Sequence, residues 1–308
     1  MPEAAPLRNR VAAAGQLWQD SSDRNNYVIT APDDEFTTKD NRMTKLTTAE
    51  CEPELYPADV SLAGEWRWVA EWLALLGSPV YGGHDVPRGH GEPVIVVPGF
   101  LGSTAQLQPL MNWLQRIGYD AHSPGFEQTI ECPDVLLDRL QAQVDAVATA
   151  SGTRVTIIGH SLGGSLARAA AVRRPASVAR VITLGSPLRT FNAHIAVIEA
   201  ARMLTRVVRS RHEPHIGHRH DATCACELSE ALAAPFPAGV ERTAIYSRAD
   251  GVVDWHSCIE GDAAIDIEVA GTHVGLIVNR HVYEAIGRAL AGGNVVGSSR
   301  AQSQAKAG

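Results

Sequence analysis

Residues 154–174, RVTIIGHSLGGSLARAAAVRR, change pattern at a single serine, Ser161. Ahead of it, Val155 to Gly159 is apolar and β-branched without alternation, as in a strand covered on both faces. Behind it, SLARAAAVRR reads as a helix that turns small residues inward. A strand that runs directly into a helix must turn sharply, which strains the backbone at the serine. Side chains two residues to either side of it would collide with the neighbouring strand and helix. Gly159 and Gly163 occupy those two positions. The serine then stands at a helix N-terminus, where unpaired N–H groups and the helix dipole favour a developing oxyanion. Leu162 is the expected first N–H donor. Gly159 and Gly164 also have the spacing of a phosphate-binding loop, but Ser165 stands where that loop needs lysine.

Outward from this turn, short β-rich runs alternate with helical segments. The strands are expected at 93–97 (PVIVV), 119–123, 154–159, 179–185, 243–247 and 264–270, and the helices at 105–117, 133–150, after Ser161 and near 281–291. This alternation predicts an α/β fold, a parallel sheet with helices on both faces. In the helix at 133–150, Leu137, Leu140, Val144 and Val147 form the apolar stripe. Leu62, Trp66, Val69, Leu73 and Leu76 recur at spacings of four and three, which places them on one face of a helix ended by Gly77. The folded domain is therefore expected over 61–292. Residues 1–60 read as a polar, partly disordered extension and 293–308 as a disordered tail.

The remaining parts of an acyl-transfer site are sought at the carboxyl ends of the other strands. After the strand at 93–97 comes Pro98-Gly99-Phe100-Leu101-Gly102, whose glycines allow close backbone approach. Phe100 is the expected second oxyanion donor, with Leu101 as its alternative. Asp250, in SRADGVVDW after the strand at 243–247, is the candidate acid, with Asp254 as the rival. His273, in AGTHVG after the last strand, is the candidate base, and His281 reads as a cap or surface residue. The aspartate would orient the imidazole, which would take the serine proton and later protonate the leaving group.

With the glycine-flanked serine, PGFLGS, SRADGVVDW and GTHVG in hand, residues 90 to 292 resemble the α/β-hydrolase superfamily, specifically bacterial lipases and esterases. The resemblance implies a mostly parallel six- to eight-stranded sheet flanked by helices. It also implies ester hydrolysis through an acyl-enzyme on Ser161, with Asp250 and His273, and the acyl esters expected are hydrophobic ones. The chain departs from the family pattern in having Pro98-Gly99 where many lipases have His-Gly, and in lacking recognisable first strands ahead of Val94. The same constellation serves acyltransferases and amidases, and a non-catalytic lipid- or partner-binding protein is a further reading of the fold. Neither a cofactor nor a metal is called for.

The interval 187–241 is expected to form the cap. Val197, Ala201, Leu204 and Val208 make an apolar stripe opposite Arg202, Arg206 and Arg209, suited to covering an acyl pocket or touching a lipid surface. His212, His215, His218, His220, Cys224 and Cys226 follow at spacings that match no tetrahedral zinc pattern, so a solvated loop is expected there. Pairing of Cys224 or Cys226 with Cys258 would brace the cap base, and the spacing leaves that bond open. Five cysteines at irregular spacing are no disulfide framework. A net charge of -7 gives no electrostatic reason for a nucleic-acid partner. No basic start leads into an apolar run, and no apolar stretch approaches the roughly 20 residues of a membrane span. A cytoplasmic location, with peripheral membrane contact at most, is the corresponding expectation.

Overall fold

In Pro93–Val97 every residue is buried, and successive side chains leave the strand on opposite faces. Val94 and Val96 join one hydrophobic cluster, while Ile95 and Val97 join another. A strand with two apolar faces must lie inside a three-layer structure, and it does. The computed structural model describes residues 55–189, 191–200, 203, 226–263 and 265–292. Its strands are β1 (Leu55–Ala58), β2 (Pro93–Val97), β3 (Asp120–His122), β4 (Val155–His160), β5 (Val178–Leu184), β6 (Phe191–His194), β7 (Glu241–Tyr246) and β8 (Asp266–Glu268). Six of them form a parallel sheet in the order β3-β2-β4-β5-β7-β8.

The helices are α1 (Trp68–Leu76), α2 (Gln108–Arg116), α3 (Pro133–Ser151), α4 (Leu162–Arg173), α5 (Cys226–Ala233) and α6 (Arg280–Leu290). One face of the sheet is covered by Leu75 of α1, by Leu110, Trp113 and Leu114 of α2, and by Val282, Tyr283 and Ile286 of α6. The other is covered by α3, α4 and α5. Helix α3 begins with Pro133 at its first position and stops at Gly152, whose φ of 68° is the left-handed conformation that ends many helices. Helix α4 is buried nearly all round, and Ala167, Ala169, Ala170 and Ala171 let it lie close to the sheet. The chain runs from β2 outward to β3 on one side, then returns past β2 to β4 and on to β8. The crevice at the carboxyl ends of β2 and β4 is thus the point where strand order reverses, the usual ligand position in such sheets.

Two features differ from the sequence reading. Leu55–Ala58, counted with the polar extension, forms β1 and pairs in parallel with β6 in a second, two-stranded sheet. The predicted helix over 61–77 is a 3-10 turn at Leu62–Arg67 followed by α1, and its apolar stripe faces solvent: Trp66 is 72% and Leu73 64% exposed. The inward side is taken instead by Leu75, Trp72 and Glu71.

Of the interval 187–241, residues 195–200 and 203 are helical, and α5 packs Leu228, Ala231 and Leu232 into the core. The Asp134 carboxylate receives the Glu227 and Leu228 N–H groups at 3.3 and 3.0 Å, capping α5. Ala201, Leu204 and Val208 of the expected stripe, and the histidines with Cys224, lie outside the described residues. Cys258, whose pairing the spacing left open, is a buried free thiol. Burial, and next the Asp250 carboxylate, push that thiol well above its ordinary range. Among the described residues no helix is long and apolar enough to cross a membrane.

Candidate active site

Strand β4 delivers Ser161 to the crevice with φ 52° and ψ -126°, a conformation that L-residues rarely adopt. The glycines that permit it meet different neighbours. A Cβ on Gly159 would strike the backbone of Gly163 and Gly164, and a Cβ on Gly163 would strike the Val97 and Pro98 carbonyls at the end of β2. Gly164 is a third such position, packed against Ser186. Ser165, at the position a phosphate loop would give to lysine, donates to the Pro187 carbonyl at 2.6 Å and ties α4 to the start of the insertion.

The loop after β2 lies directly on the serine, since a Cβ on Gly99 would stand 2.9 Å from the Ser161 Cβ. Thr129 shapes this loop: its hydroxyl donates to the Gly99 carbonyl and, at 3.2 Å, to that of Gly102. The Leu101 N–H is committed to the Thr129 carbonyl at 3.3 Å. Among the described residues, neither the Phe100 nor the Leu162 N–H has a protein acceptor. Of the two sequence candidates in this loop, Phe100 therefore keeps its donor available and Leu101 does not.

Asp250 and His273 meet across the ends of β7 and β8. The His273 Nδ1 donates to Asp250 Oδ2 at 2.6 Å, with both side chains at most 6% exposed. The other carboxylate oxygen receives Val252 N–H at 2.9 Å and Val253 N–H at 2.8 Å, so the acid is fully engaged. Gly185, with φ 54°, ends β5 beneath them, where a Cβ would approach Asp250 Oδ2 to 3.0 Å and His273 Nδ1 to 3.3 Å. Asp254 caps the 3-10 turn at Trp255–Cys258 and bonds His256 at 2.7 Å. His281 lies in the first turn of α6, with Glu284 at 3.5 Å.

Ser161, His273 and Phe100 line one cavity of about 510 Å³. Its walls are largely apolar and include Trp68, Trp72, Leu101 and Val197. No hydrogen bond joins the Ser161 hydroxyl to the His273 ring among the described residues, an arrangement common in free enzymes, where that bond tightens with substrate. His160, which the sequence reading passed over, packs its ring 4.7 Å from that of His273 and directs Nε2 to the His273 carbonyl at 3.0 Å. Burial, and next the neighbouring His273, lower its pKa from 6.5 to about 3. The ring is thus neutral, with its Nε2–H held by that carbonyl. Its place between Gly159 and Ser161 was the signal available in the sequence.

Residues 92–206 match the family model described as alpha/beta hydrolase fold. The chain is similar to a triacylglycerol lipase of Burkholderia plantarii, 35% identical over 130 residues that make up 39% of this chain and 36% of the relative. It is also similar to a triacylglycerol lipase of Pseudarthrobacter phenanthrenivorans, 37% identical over 107 residues, 32% of this chain and 33% of the relative. The chain thus spans about a third of the length of the curated relatives it matches. Among solved structures, a metagenomic carboxyl esterase aligns at TM-score 0.49 with 14% identity, over 67% of this chain and 77% of that one. A Bacillus licheniformis lipase aligns at 0.46 with 17% identity, over 67% and 94%. By its parallel sheet, by the strained serine turn between β4 and α4, and by the family match over 92–206, this chain has an α/β-hydrolase fold.

Proposed function

We propose that the protein is a serine-dependent carboxylic ester hydrolase acting on hydrophobic acyl esters. The observation that carries the reading is the buried Asp250–His273 pair at 2.6 Å, opening on the same apolar cavity as the strained Ser161. The Asp250 carboxylate can only accept, so it holds Nδ1 as the protonated nitrogen and leaves Nε2 as the base. Nε2 takes the Ser161 proton as Oγ attacks the ester carbonyl. The oxyanion forms against the Phe100 and Leu162 N–H groups, and the imidazolium returns its proton to the departing alcohol. Water then repeats the sequence on the acyl-serine, releasing the acid and restoring Ser161. Trp68, Trp72 and Val197 offer an apolar wall to the acyl chain. Triacylglycerol lipases among the relatives support the same substrate class. Trp68, Leu101 and Val274 line the cavity and are also exposed, which supports transient contact of this rim with aggregated substrate.

The test is hydrolysis of p-nitrophenyl esters by wild type and Ser161→Ala. A loss of about 10⁵- to 10⁶-fold in kcat is expected, as for removal of a triad nucleophile. Full retained turnover overturns the reading. An acyl-length series, run below and above the micellar threshold, reports whether the rim engages a lipid surface.

A further inference from the structure

The acid and base of the site stand on separate turns, and something must hold those turns at a fixed separation. Backbone N–H groups on both turns need acceptors, and Gly251, Thr272 and His273, which carry three of them, are buried. The acceptors come from the chain ahead of the sheet. Glu65, in the 3-10 turn before α1, receives the Gly251 N–H at 2.9 Å and the His273 N–H at 3.0 Å on Oε1, and the Val274 N–H at 2.9 Å on Oε2. Glu71, on α1, receives the Thr272 N–H at 2.9 Å on Oε1 and the Asn279 side-chain amide at 3.2 Å on Oε2. Glu65 therefore bridges the residue after Asp250 to His273 itself.

Three glycines make room for the pair of carboxylates. A Cβ on Gly251 would stand 2.9 Å from Glu65 Oε1, one on Gly271 would stand 3.0 Å from Glu71 Oε2, and one on Gly275 would overlap Glu71 Oε2. None of the three has a positive φ, so the need is for space and not for backbone freedom. Both glutamates precede residues 92–206, the segment that matches the family model. They are half-buried, although α1 leaves most of its apolar stripe in solvent.

From this arrangement we infer that Glu65 and Glu71 are positioning residues, a two-carboxylate clamp through which the N-terminal segment fixes the distance and orientation between Asp250 and His273. The inference rests on the proposed role of those two residues. A carboxylate suits the task because it is acceptor-only and serves several N–H groups at once, with bonds stronger than those of a neutral acceptor. Without the clamp the histidine turn can shift by fractions of an ångström, and misplacement on that scale costs catalysis before it costs binding.

The decisive experiment uses the full chain with Glu65→Gln, Glu65→Ala and Gly275→Ala, and Glu230→Gln, at an exposed position of α5, as control. Glutamine keeps one acceptor oxygen for the Gly251 and His273 N–H groups but turns an amide donor toward Val274. Active Ser161 is titrated with a fluorophosphonate, and kcat and KM for a soluble short-chain ester are measured per titrated site. The expected results are a fall in kcat of about tenfold for Glu65→Gln and about 100-fold for Glu65→Ala, with KM within twofold. The rate of fluorophosphonate inactivation should fall in parallel, the Glu230→Gln control should match wild type, and Gly275→Ala should behave like the clamp variants. Normal kcat and inactivation rate per titrated site in Glu65→Gln and Glu65→Ala overturn the clamp, whatever their thermal stability, and show a purely structural contact. A wild-type protein that does not react with the fluorophosphonate overturns the proposed hydrolase reading, and the clamp with it.

Discussion

At the residue scale, the serine turn leaves almost no freedom of choice. Gly163 sits against the Val97 carbonyl, and a methyl group there must displace either the end of β2 or the first turn of α4. Gly163→Ala should therefore lower stability by about 2–3 kcal/mol, as overpacking against fixed backbone does, together with a loss of ester turnover. A denaturant titration read by tryptophan fluorescence and far-UV dichroism measures the first. His160 supplies a pH prediction at the same scale. Its pKa falls from 6.5 to about 3 in the folded state because burial disfavours the charged ring. Below about pH 6.5 the unfolded chain therefore binds a proton that the folded one does not, so stability declines as pH falls toward 3 and rises with pH across that window. His160→Gln keeps a side-chain donor without the titration, and should flatten this part of a stability-against-pH curve. An unchanged slope in that variant would assign the acid sensitivity to other groups.

At the element scale, contacts between pieces distant in sequence tie the helices to the loops between strands. Arg168 of α4 reaches Glu260, in the loop between the Trp255–Cys258 turn and β8, at 2.6 Å, and the two side chains are 5% and 7% exposed. Arg168 also lies over the Phe236 ring at 5.2 Å. Burial lowers the Arg168 pKa, and the Glu260 charge opposes that shift. Removing Glu260 strands a buried cation, so Glu260→Ala should cost about 3–5 kcal/mol, measurable as a lower urea midpoint at unchanged slope. A double substitution to similarly sized apolar residues should recover much of that loss, since the pair itself contributes little net stability. The behaviour of α1 belongs to this scale too. Its period of 3.6 was legible, but the pattern alone could not tell which face turns inward. Hydrophobicity favours Trp66, Val69 and Leu73; the Thr272 N–H of the histidine turn and the Asn279 amide require the side that carries Glu71.

At the scale of the whole molecule, the sheet order and the site read out to different degrees. The six strands of the main sheet and helices α2, α3, α4 and α6 follow from local pattern, because a strand buried on both sides must be largely apolar, as β2 is throughout and β4 is at Val155, Ile157 and Ile158; α5, inside the expected cap interval, did not. The serine turn was equally local, since its glycines, its strand and its helix are contiguous. Asp250 and His273 were reachable by position after a strand, because parallel strands bring their carboxyl ends to one edge. By itself, then, the sequence determined the layered α/β architecture, the strained serine and the candidate acid and base, all through short-range periodicity and turn sterics. Tertiary structure alone decided the rest: the outward stripe of α1, the pairing of β1 with β6, the free Phe100 N–H beside a committed Leu101, and the two glutamates that grip the turns carrying Asp250 and His273. Each depends on which group finds a partner 28 to 209 residues away, and such partnerships leave no periodic trace in the chain.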